Sequence, residues 1–167
     1  MCMNFLILLV SKIGIWILKK INKGSAFPGY FARKCNKNIL NYFKVPKTTI
    51  FVTGSNGKTT TATVIADVFK QTGYKVGHNI KGSNLTNGIT TCLIENSNLF
   101  GVIKKDVLVL EVDERYIKEI SKVIKPSHLI INNLSRDQLA RNGHFDLVWE
   151  DINKSIEPNT HLFLNSD

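Results

Sequence analysis

The fold is decided by residues 49–60, which read Thr49-Ile50-Phe51-Val52-Thr53-Gly54-Ser55-Asn56-Gly57-Lys58-Thr59-Thr60. The β-branched and aromatic residues at the start predict a buried strand, and residues 60–72 predict a helix. A glycine-rich turn between a strand and a helix brings backbone N–H groups together at the positive end of the helix dipole. Such a turn is typical of a phosphate-binding loop, so an α/β fold is expected.

The loop also predicts the residues that would bind a nucleotide and its metal. Backbone groups from Gly54 to Gly57 would surround a phosphate, Lys58 would reach the terminal phosphates, and the Thr59 hydroxyl would hold Mg²⁺. The usual loop pattern has glycine where this chain has Val52, so the loop is a shorter variant. The candidate cofactor-binding residues, for ATP and Mg²⁺, are Gly54, Ser55, Asn56, Gly57, Lys58, Thr59 and Thr60.

After residue 48, short β-rich segments alternate with helical ones. The predicted strands are Thr49–Thr53, Lys75–His78, Val107–Val112, His128–Asn132 and His161–Leu164. The predicted helices are Thr60–Thr72, Glu114–Ile124 and Asp146–Ile156. Alternation of this kind gives a parallel sheet with flanking helices, in which ligands bind beyond the carboxyl ends of the strands.

The third predicted strand ends in a group of acidic residues. Glu111 belongs to the end of this apolar strand, and Asp113 and Glu114 follow it. A carboxylate at a strand end beside a phosphate-binding loop commonly completes the coordination of Mg²⁺. We expect this metal and catalytic role for Glu111, whereas Glu114 is expected to supply negative charge to the first turn of the next helix.

The N-terminal segment carries the whole excess of positive charge. Residues 1–48 hold nine of the 22 basic residues and none of the 13 acidic ones, and the formal net charge is +9. Such a block is typical of proteins that contact nucleic acid or anionic lipid. Here the basic residues flank an apolar stretch, Phe5 to Leu18, instead of alternating with stacking aromatics. No nucleic acid partner is therefore expected.

The apolar stretch allows three interpretations. A cleaved signal peptide normally begins with positive charge, whereas no basic residue precedes Lys12. A membrane-spanning anchor needs about 20 apolar residues, more than this stretch offers. We favour a helix that packs on the domain or lies in the membrane interface, with residues 1–24 contacting the membrane surface.

The chain is therefore divided into a basic, partly apolar helical segment, residues 1–48, and a nucleotide-binding domain, residues 49–167. Pro28-Gly29 is expected to break the linker between them.

The three cysteines are scattered, which argues against a disulfide scaffold or a zinc site here. Cysteines without a disulfide pattern predict a cytoplasmic location. That location would be at the inner face of the membrane if residues 1–24 contact it. The four histidines are also separated in sequence, and structural roles are expected for them.

Taken together, these motifs resemble the Mur ligases, the ATP-dependent amide-bond-forming enzymes of peptidoglycan synthesis. The loop at residues 53–60 is similar to their short P-loop. Further segments resemble one branch of the family, the MurT-type subunits of lipid II isoglutaminyl synthase. They are Asn79-Ile80-Lys81-Gly82-Ser83-Asn84 with Asn87-Gly88-Ile89-Thr90-Thr91, Glu111-Val112-Asp113-Glu114, and Asn133-Leu134-Ser135-Arg136-Asp137-Gln138-Leu139.

The resemblance implies a reaction and partners. MurT-type subunits use ATP to activate the α-carboxylate of D-glutamate in the lipid II stem peptide, and a GatD-type glutamine amidotransferase supplies ammonia to form D-isoglutamine. Carried onto this sequence, the resemblance implies that Lys58 stabilises the transferring phosphoryl group and that Thr59 and Glu111 hold Mg²⁺.

The resemblance also implies substrate-side residues, namely Asn84, Asn133, Arg136 and Asp137. Gln138 matches the MurT pattern, where the amino-acid-adding ligases have histidine, whereas Ala140 stands where an aspartate is usual. The alternative for residues 133–137 is a loop after a strand, with Asp137 capping a short helix, and for Asn84 it is a loop cap.

The resemblance further implies that the family continues beyond Asp167, with the rest of this domain, a four-cysteine zinc-binding insert and a C-terminal domain. The chain is thus expected to be the N-terminal part of a longer protein.

Two other interpretations of the function stay open. One is a ParA/MinD-type ATPase switch, which shares Gly-Lys-Thr-Thr-Thr-Ala but usually has a second lysine early in the loop. The other is a non-catalytic remnant. A folylpolyglutamate-synthase-like ligase shares the loop but not the 133–139 segment.

Overall fold

A computed structural model describes residues 2–21, 26–79, 83–134 and 145–166, with the backbone alone for residues 145–147. Five strands form one sheet in the order β2-β3-β1-β4-β5, and every neighbouring pair is parallel. The strands are β1 Thr48–Thr53, β2 Val76–His78, β3 Val107–Glu111, β4 His128–Ile131 and β5 His161–Leu164. The predicted α/β fold with a parallel sheet is confirmed, and no strand end differs from its prediction by more than one residue.

The described helices flank this sheet. They are α1 Cys2–Lys20, α2 Phe27–Cys35, a short 3-10 helix Ile39–Tyr42, α3 Lys58–Gln71, α4 Thr86–Asn96, α5 Ile117–Ser121 and α6 Phe145–Asn153. The predicted helix over 114–124 is shorter than expected, because residues 114–116 form a turn. Its apolar stripe is nevertheless buried, at Ile117, Ile120 and Ile124.

Strands β1 and β3 at the centre of the sheet are buried on both sides because helices cover both faces there, whereas the edge strand β5 is exposed. On one face, Ile50 and Val52 of β1 pack with Ala62 and Ala66 of α3. On the other face, Phe51 belongs to a larger cluster to which α1, α2, α4, α5 and α6 contribute. Neighbouring residues of β1 thus point to opposite faces, as the pleat of a strand requires.

The N-terminal helices take part in the larger cluster. Leu8 of α1, Ala32 of α2 and Ile39 are completely buried in it. Residues before β1 therefore contribute to the core under the sheet, and the division of the chain at residue 48 stays a prediction.

The expected break at Pro28-Gly29 is wrong, since both residues lie in the first turn of α2. Proline is well tolerated there, because the first N–H groups of a helix have no partner within the helix. Gly29 allows a close approach between helices: its N–H donates to Thr91 Oγ1 of α4 at 2.9 Å. A Cβ at this position would lie 2.0 Å from the Asn87 carbonyl oxygen.

Helix α4 was not predicted from the sequence. Gly88, Ile89, Thr90 and Thr91 all have lower helix propensity than alanine or leucine, so the local sequence does not favour a helix. Seven of its eleven residues are buried. Burial between α2 and the sheet stabilises a helix that its own sequence leaves marginal.

We expect Gly29→Ala to lower the free energy of unfolding by about 1–3 kcal/mol, the usual effect of overpacking a tight contact. Gly14→Ala is the matched control, because a Cβ at Gly14 in α1 would meet nothing within 4 Å. That substitution should raise the free energy of unfolding by about 0.5–1 kcal/mol through helix propensity. Urea unfolding followed by circular dichroism measures both. Equal effects of the two substitutions would contradict the close α2–α4 contact.

Candidate active site

The phosphate-binding loop connects the carboxyl end of β1 to the first turn of α3. Gly54 has φ +130° and Gly57 has φ +76°, a region that residues with a Cβ rarely adopt. Space imposes the same requirement. A Cβ on Gly54 would lie 2.7 Å from the Asn133 carbonyl oxygen, and a Cβ on Gly57 would lie 3.0 Å from Asn132 Nδ2. Both glycines are therefore needed to bring the loop against the end of β4.

Two asparagines after β4 hold the loop in place. The Ser55 N–H donates to the Asn133 carbonyl at 2.8 Å, and the Asn56 N–H donates to Asn133 Oδ1 at 2.9 Å. Asn132 Nδ2 donates to Thr61 Oγ1 of α3 at 2.9 Å. Asn133, expected on the substrate side, is thus placed against the loop backbone. Asn132 was missed, because nothing in the sequence shows that the end of β4 reaches α3.

These hydrogen bonds involve two of the backbone N–H groups that were expected to surround a phosphate. The N–H groups of Ser55 and Asn56 are engaged by Asn133 instead of lying open. The residue at the N-cap of α3 is Gly57, which has no side chain to accept a hydrogen bond from the N–H groups of the first turn. Lys58, Thr59 and Thr60 therefore present the open positive end of the helix, where an anion is stabilised.

Lys58 folds back over its own loop. Its Nζ donates to the Gly54 carbonyl, to the Ser55 carbonyl at 3.3 Å and to Glu114 Oε2 at 3.2 Å. The Lys58 side chain is 11% exposed and that of Glu114 is 2% exposed. The expected role of Glu114 is wrong, because α5 begins only at Ile117 and the carboxylate is instead the buried counter-charge of Lys58.

Glu111 and Thr59 are in direct contact. The Thr59 hydroxyl donates to Glu111 Oε2 at 2.8 Å, and Asn84 Nδ2 donates to Glu111 Oε1 at 3.2 Å. The Asn79 side chain bonds both the N–H and the carbonyl of Glu111, each at 2.8 Å. Asn84, expected to contact substrate, is therefore placed where it orients the carboxylate. Asn79, which only the family resemblance singled out, fixes the backbone beneath it.

A third carboxylate lies close by. Asp113 accepts hydrogen bonds from Arg115 Nε at 2.8 Å and Arg115 Nη2 at 2.9 Å. Burial alone would raise the pKa of Asp113, but the hydrogen bonds from Arg115 and the charges of Arg115 and Lys58 outweigh it and lower the pKa. Asp113 is therefore ionised at neutral pH, and its charge is balanced by that of Arg115.

The donor set fits a magnesium ion bound together with phosphate. Over the described residues, no group of three or more His, Cys, Asp or Glu side chains is arranged to hold a metal by itself. Thr59 and Glu111 offer one hydroxyl and one carboxylate oxygen, and Mg²⁺ typically takes one or two protein oxygens and completes its shell with phosphates and water. The expected zinc site belongs to sequence beyond this chain and stays a prediction.

Two cavities meet at the loop. One, of about 320 Å³, is lined by residues 55–60 and Glu111. The other, of about 510 Å³, lies beyond the ends of β4 and β5 and is lined by Asn56, Gly57, Asn132, Phe163 and Asn165, among others. They share Asn56 and Gly57, so the loop has adjoining space for a phosphate chain and for a larger attached group.

Two predicted site residues, Arg136 and Asp137, lie outside the described residues. Two of the four histidines, which are separated in sequence, are brought together by the fold. The parallel register of β4 and β5 stacks His128 on His161, with ring centroids 5.1 Å apart. Burial, and then the neighbouring His161, lower the pKa of His128, so it is mostly neutral at neutral pH.

The fold and the loop define a phosphate-binding α/β domain. Within that class, the chain belongs to the Mur ligase family: the sequence model described as the Mur ligase middle domain matches residues 52–166. This membership favours the Mur ligase interpretation of the loop over the ParA/MinD type.

Three of the curated relatives that the chain matches are MurT subunits. The chain is 33% identical over 147 residues to the MurT subunit of lipid II isoglutaminyl synthase (glutamine-hydrolyzing) from Staphylococcus aureus strain COL, covering 87% of this chain and 33% of that protein. It is 33% identical over 163 residues to the MurT subunit from Streptococcus pneumoniae strain ATCC BAA-255 / R6, covering 96% and 36%. The chain thus spans about a third of the length of these relatives.

Among solved structures, the MurF ligase from Thermotoga maritima in complex with ADP has the same fold. The TM-score is 0.63 at 22% identity, over 84% of this chain and 32% of that one. The resemblance stated from the loop and its neighbouring motifs is confirmed by these matches.

We expect Lys58→Met and Glu114→Gln each to lower the free energy of unfolding by up to about 3–5 kcal/mol, because each removes one member of a buried ion pair. The double variant should lose about 1–3 kcal/mol less than the sum of the two single variants. A cycle on the exposed pair Lys70 and Asp67 is the control. Its coupling should stay within about 1 kcal/mol. Urea unfolding measures both cycles, and equal coupling in the two would contradict a buried Lys58–Glu114 pair.

Proposed function

We propose that this protein acts in an ATP-dependent carbon–nitrogen ligase of peptidoglycan synthesis. More specifically, we propose the MurT-type reaction, in which the α-carboxylate of D-glutamate in the lipid II stem peptide is activated and then amidated to D-isoglutamine. The observation that carries the proposal is the contact of Thr59 with Glu111 at the open N-terminus of α3, beside Lys58. The MurT relatives support the choice of reaction.

The residues of this chain would act chiefly through charge and position. The first turn of α3 and the Lys58 ammonium would bind the phosphates, since both present positive charge to one point. Thr59 and Glu111 would hold Mg²⁺, which when bound neutralises charge on the phosphoryl group. Asn84 and Asn79 keep the Glu111 carboxylate turned toward the loop, and Asn133 keeps the loop in register with β4.

The proposed chemistry has two balanced steps. In the first, a carboxylate oxygen of the substrate bonds to the γ-phosphorus while the bond to the departing ADP breaks, giving an acyl phosphate. In the second, ammonia attacks the carbonyl carbon, loses a proton and expels inorganic phosphate, which leaves the amide. Fixed positive charge at the transferring group is the main protein contribution in phosphoryl transfer.

The proposed partners follow from this reaction. They are a GatD-type glutamine amidotransferase as the ammonia source and lipid II or a related precursor as the substrate. A cytoplasmic location at the inner face of the cell membrane is part of the proposal, because the substrate is attached to lipid.

Lys58→Met is expected to weaken Mg²⁺–ATP binding by about tenfold to a hundredfold, because a charge-assisted hydrogen bond contributes about 1.5–3 kcal/mol. Lys70→Met, on the exposed side of the same helix, is the control and should leave the affinity unchanged. Isothermal titration calorimetry measures both. If wild type and Lys58→Met bind ATP equally or not at all, the non-catalytic remnant is favoured instead.

With lipid II, glutamine, ATP and the amidotransferase subunit, the wild-type protein is expected to convert the free α-carboxylate to an amide, and Glu111→Gln should lose most of this activity. Mass spectrometry of the stem peptide detects the product. Hydroxylamine added in place of glutamine should trap the acyl phosphate as a hydroxamate. ATP hydrolysis that DNA or vesicles stimulate, without amide formation, would argue for a switch ATPase.

A further inference from the structure

Helix α1 differs from an ordinary surface helix because it is apolar on its exposed side as well as on its buried side. Ile7, Leu8 and Ile15 are buried against the domain. The one charged residue in the middle of the helix, Lys12, also faces inward: its Nζ donates to the carbonyls of Ile94 at 2.6 Å and Ser97 at 2.5 Å, at the end of α4. Burial lowers the pKa of Lys12, partly opposed by the charge of Glu95.

The opposite side of the helix is apolar and exposed. We call this surface the outer face of α1. Its six most exposed members are 49–60% exposed, namely Met3, Leu6, Val10, Ile13, Trp16 and Ile17. Their spacing of three, four and seven residues places them along one side of an α-helix. A continuous exposed apolar face of this kind is typical of a surface that binds a membrane, another protein or a ligand.

An apolar cavity continues the outer face at its N-terminal end. It has a volume of about 330 Å³ and is lined by Cys2, Phe5, Leu6, Tyr42 and Phe100. Leu6 belongs to both the cavity and the outer face. The aromatic ring of Phe100 is 5.8 Å from that of Phe5 and is itself 60% exposed. The apolar surface therefore extends from α1 onto the loop before β3.

The positive charge of the N-terminal segment favours an anionic partner for this surface. Residues 1–48 contain no acidic residue. Within the described part of the chain, no carboxylate forms a salt bridge with Lys20, Lys34, Lys37, Lys44 or Lys47. Lys20 instead lies over the ring of Trp16, 3.8 Å from its centroid. A tryptophan beside lysines, next to apolar side chains, is the combination found at the level of lipid headgroups.

We propose that the outer face of α1 is a docking surface for an anionic lipid bilayer, on which the helix lies in the plane of the membrane. Apolar side chains from Met3 to Ile17 would enter the acyl boundary, and Lys20, beside Trp16, would contact anionic headgroups.

The helix is long and apolar enough to cross a bilayer by length and composition. Its contacts favour the in-plane orientation over a span. Crossing would pull Lys12 away from the α4 carbonyls and expose the core positions of Ile7, Leu8 and Ile15. A lysine at the centre of a bilayer is costly, whereas in the folded domain its charge is already satisfied.

This inference deepens the proposed location at the membrane and rests on the proposed function in that respect. Docking would hold the protein at the surface where a lipid-linked substrate resides. The test below contains no nucleotide and no peptidoglycan precursor, so its failure and the failure of the ligase reaction are distinguishable.

The test is co-sedimentation with vesicles of phosphatidylglycerol and phosphatidylcholine, compared with phosphatidylcholine alone. Wild type should bind the anionic vesicles, and Ile13→Gln/Ile17→Gln should bind them at least about tenfold more weakly, because each isoleucine loses apolar burial. Val64→Gln/Val68→Gln is the matched control: these residues are also β-branched, four positions apart on a helix and 54–57% exposed. It should bind like wild type.

The position of the helix is tested on the Trp149→Phe variant, in which Trp16 is the only tryptophan left. Its emission should shift to shorter wavelength on anionic vesicles, and alkaline carbonate should release the protein, as expected for a surface-bound helix.

Three results would overturn the proposal. One is resistance to carbonate, which would indicate a span. Another is equal loss of binding in both double variants. The third is absence of vesicle binding combined with a change in oligomeric state of Ile13→Gln/Ile17→Gln by sedimentation velocity, which would assign the face to a protein contact.

Discussion

The parallel pairing of β1 between β3 and β4 is the constraint on which the site depends. The register places Val52 beside Glu111 and Thr53 beside Ile131. Because all three strands run the same way, their carboxyl ends meet at one edge of the sheet. The loop after β1 therefore receives a carboxylate from one neighbour and two asparagines from the other. A slip of one residue in either pair would turn Glu111 or the β4 face away from it.

The features predicted correctly from the sequence are those with a local cause. The strand, the glycines and Gly-Lys-Thr occupy consecutive positions, and Glu111 ends an unmistakable apolar strand. What the sequence did not show is long-range. The pairing of Glu114 with Lys58 spans 56 positions, and the contact of Asn133 with Asn56 spans 77. Only the folded register brings these residues together, and no periodicity in the chain encodes them.

Helices that depend on long-range packing were also not predicted from the sequence. Local propensity identified α3, but α2 and α4 form because they pack against each other through Gly29 and Thr91. Glycine and threonine lower the intrinsic helix propensity of these segments, but in the fold they permit a close contact. In α1 the apolar pattern was recognised, but the inward direction of Lys12 was not. That direction depends on the carbonyls of Ile94 and Ser97 at the end of α4, which lie 82 and 85 positions away along the chain.

The pair formed by Lys58 and Glu114 has a consequence for any anionic ligand of the loop. The ammonium that such a ligand needs is already engaged by a buried carboxylate and by the loop's own carbonyls. Part of the intrinsic binding energy must therefore go into separating them, and the observed affinity is lower by that amount. The same contacts tie Lys58 to the backbone of its own loop. Substitutions at position 114 therefore change the stability of the ligand-free protein and its affinity for the ligand in opposite directions. One that lowers the stability tends to raise the affinity.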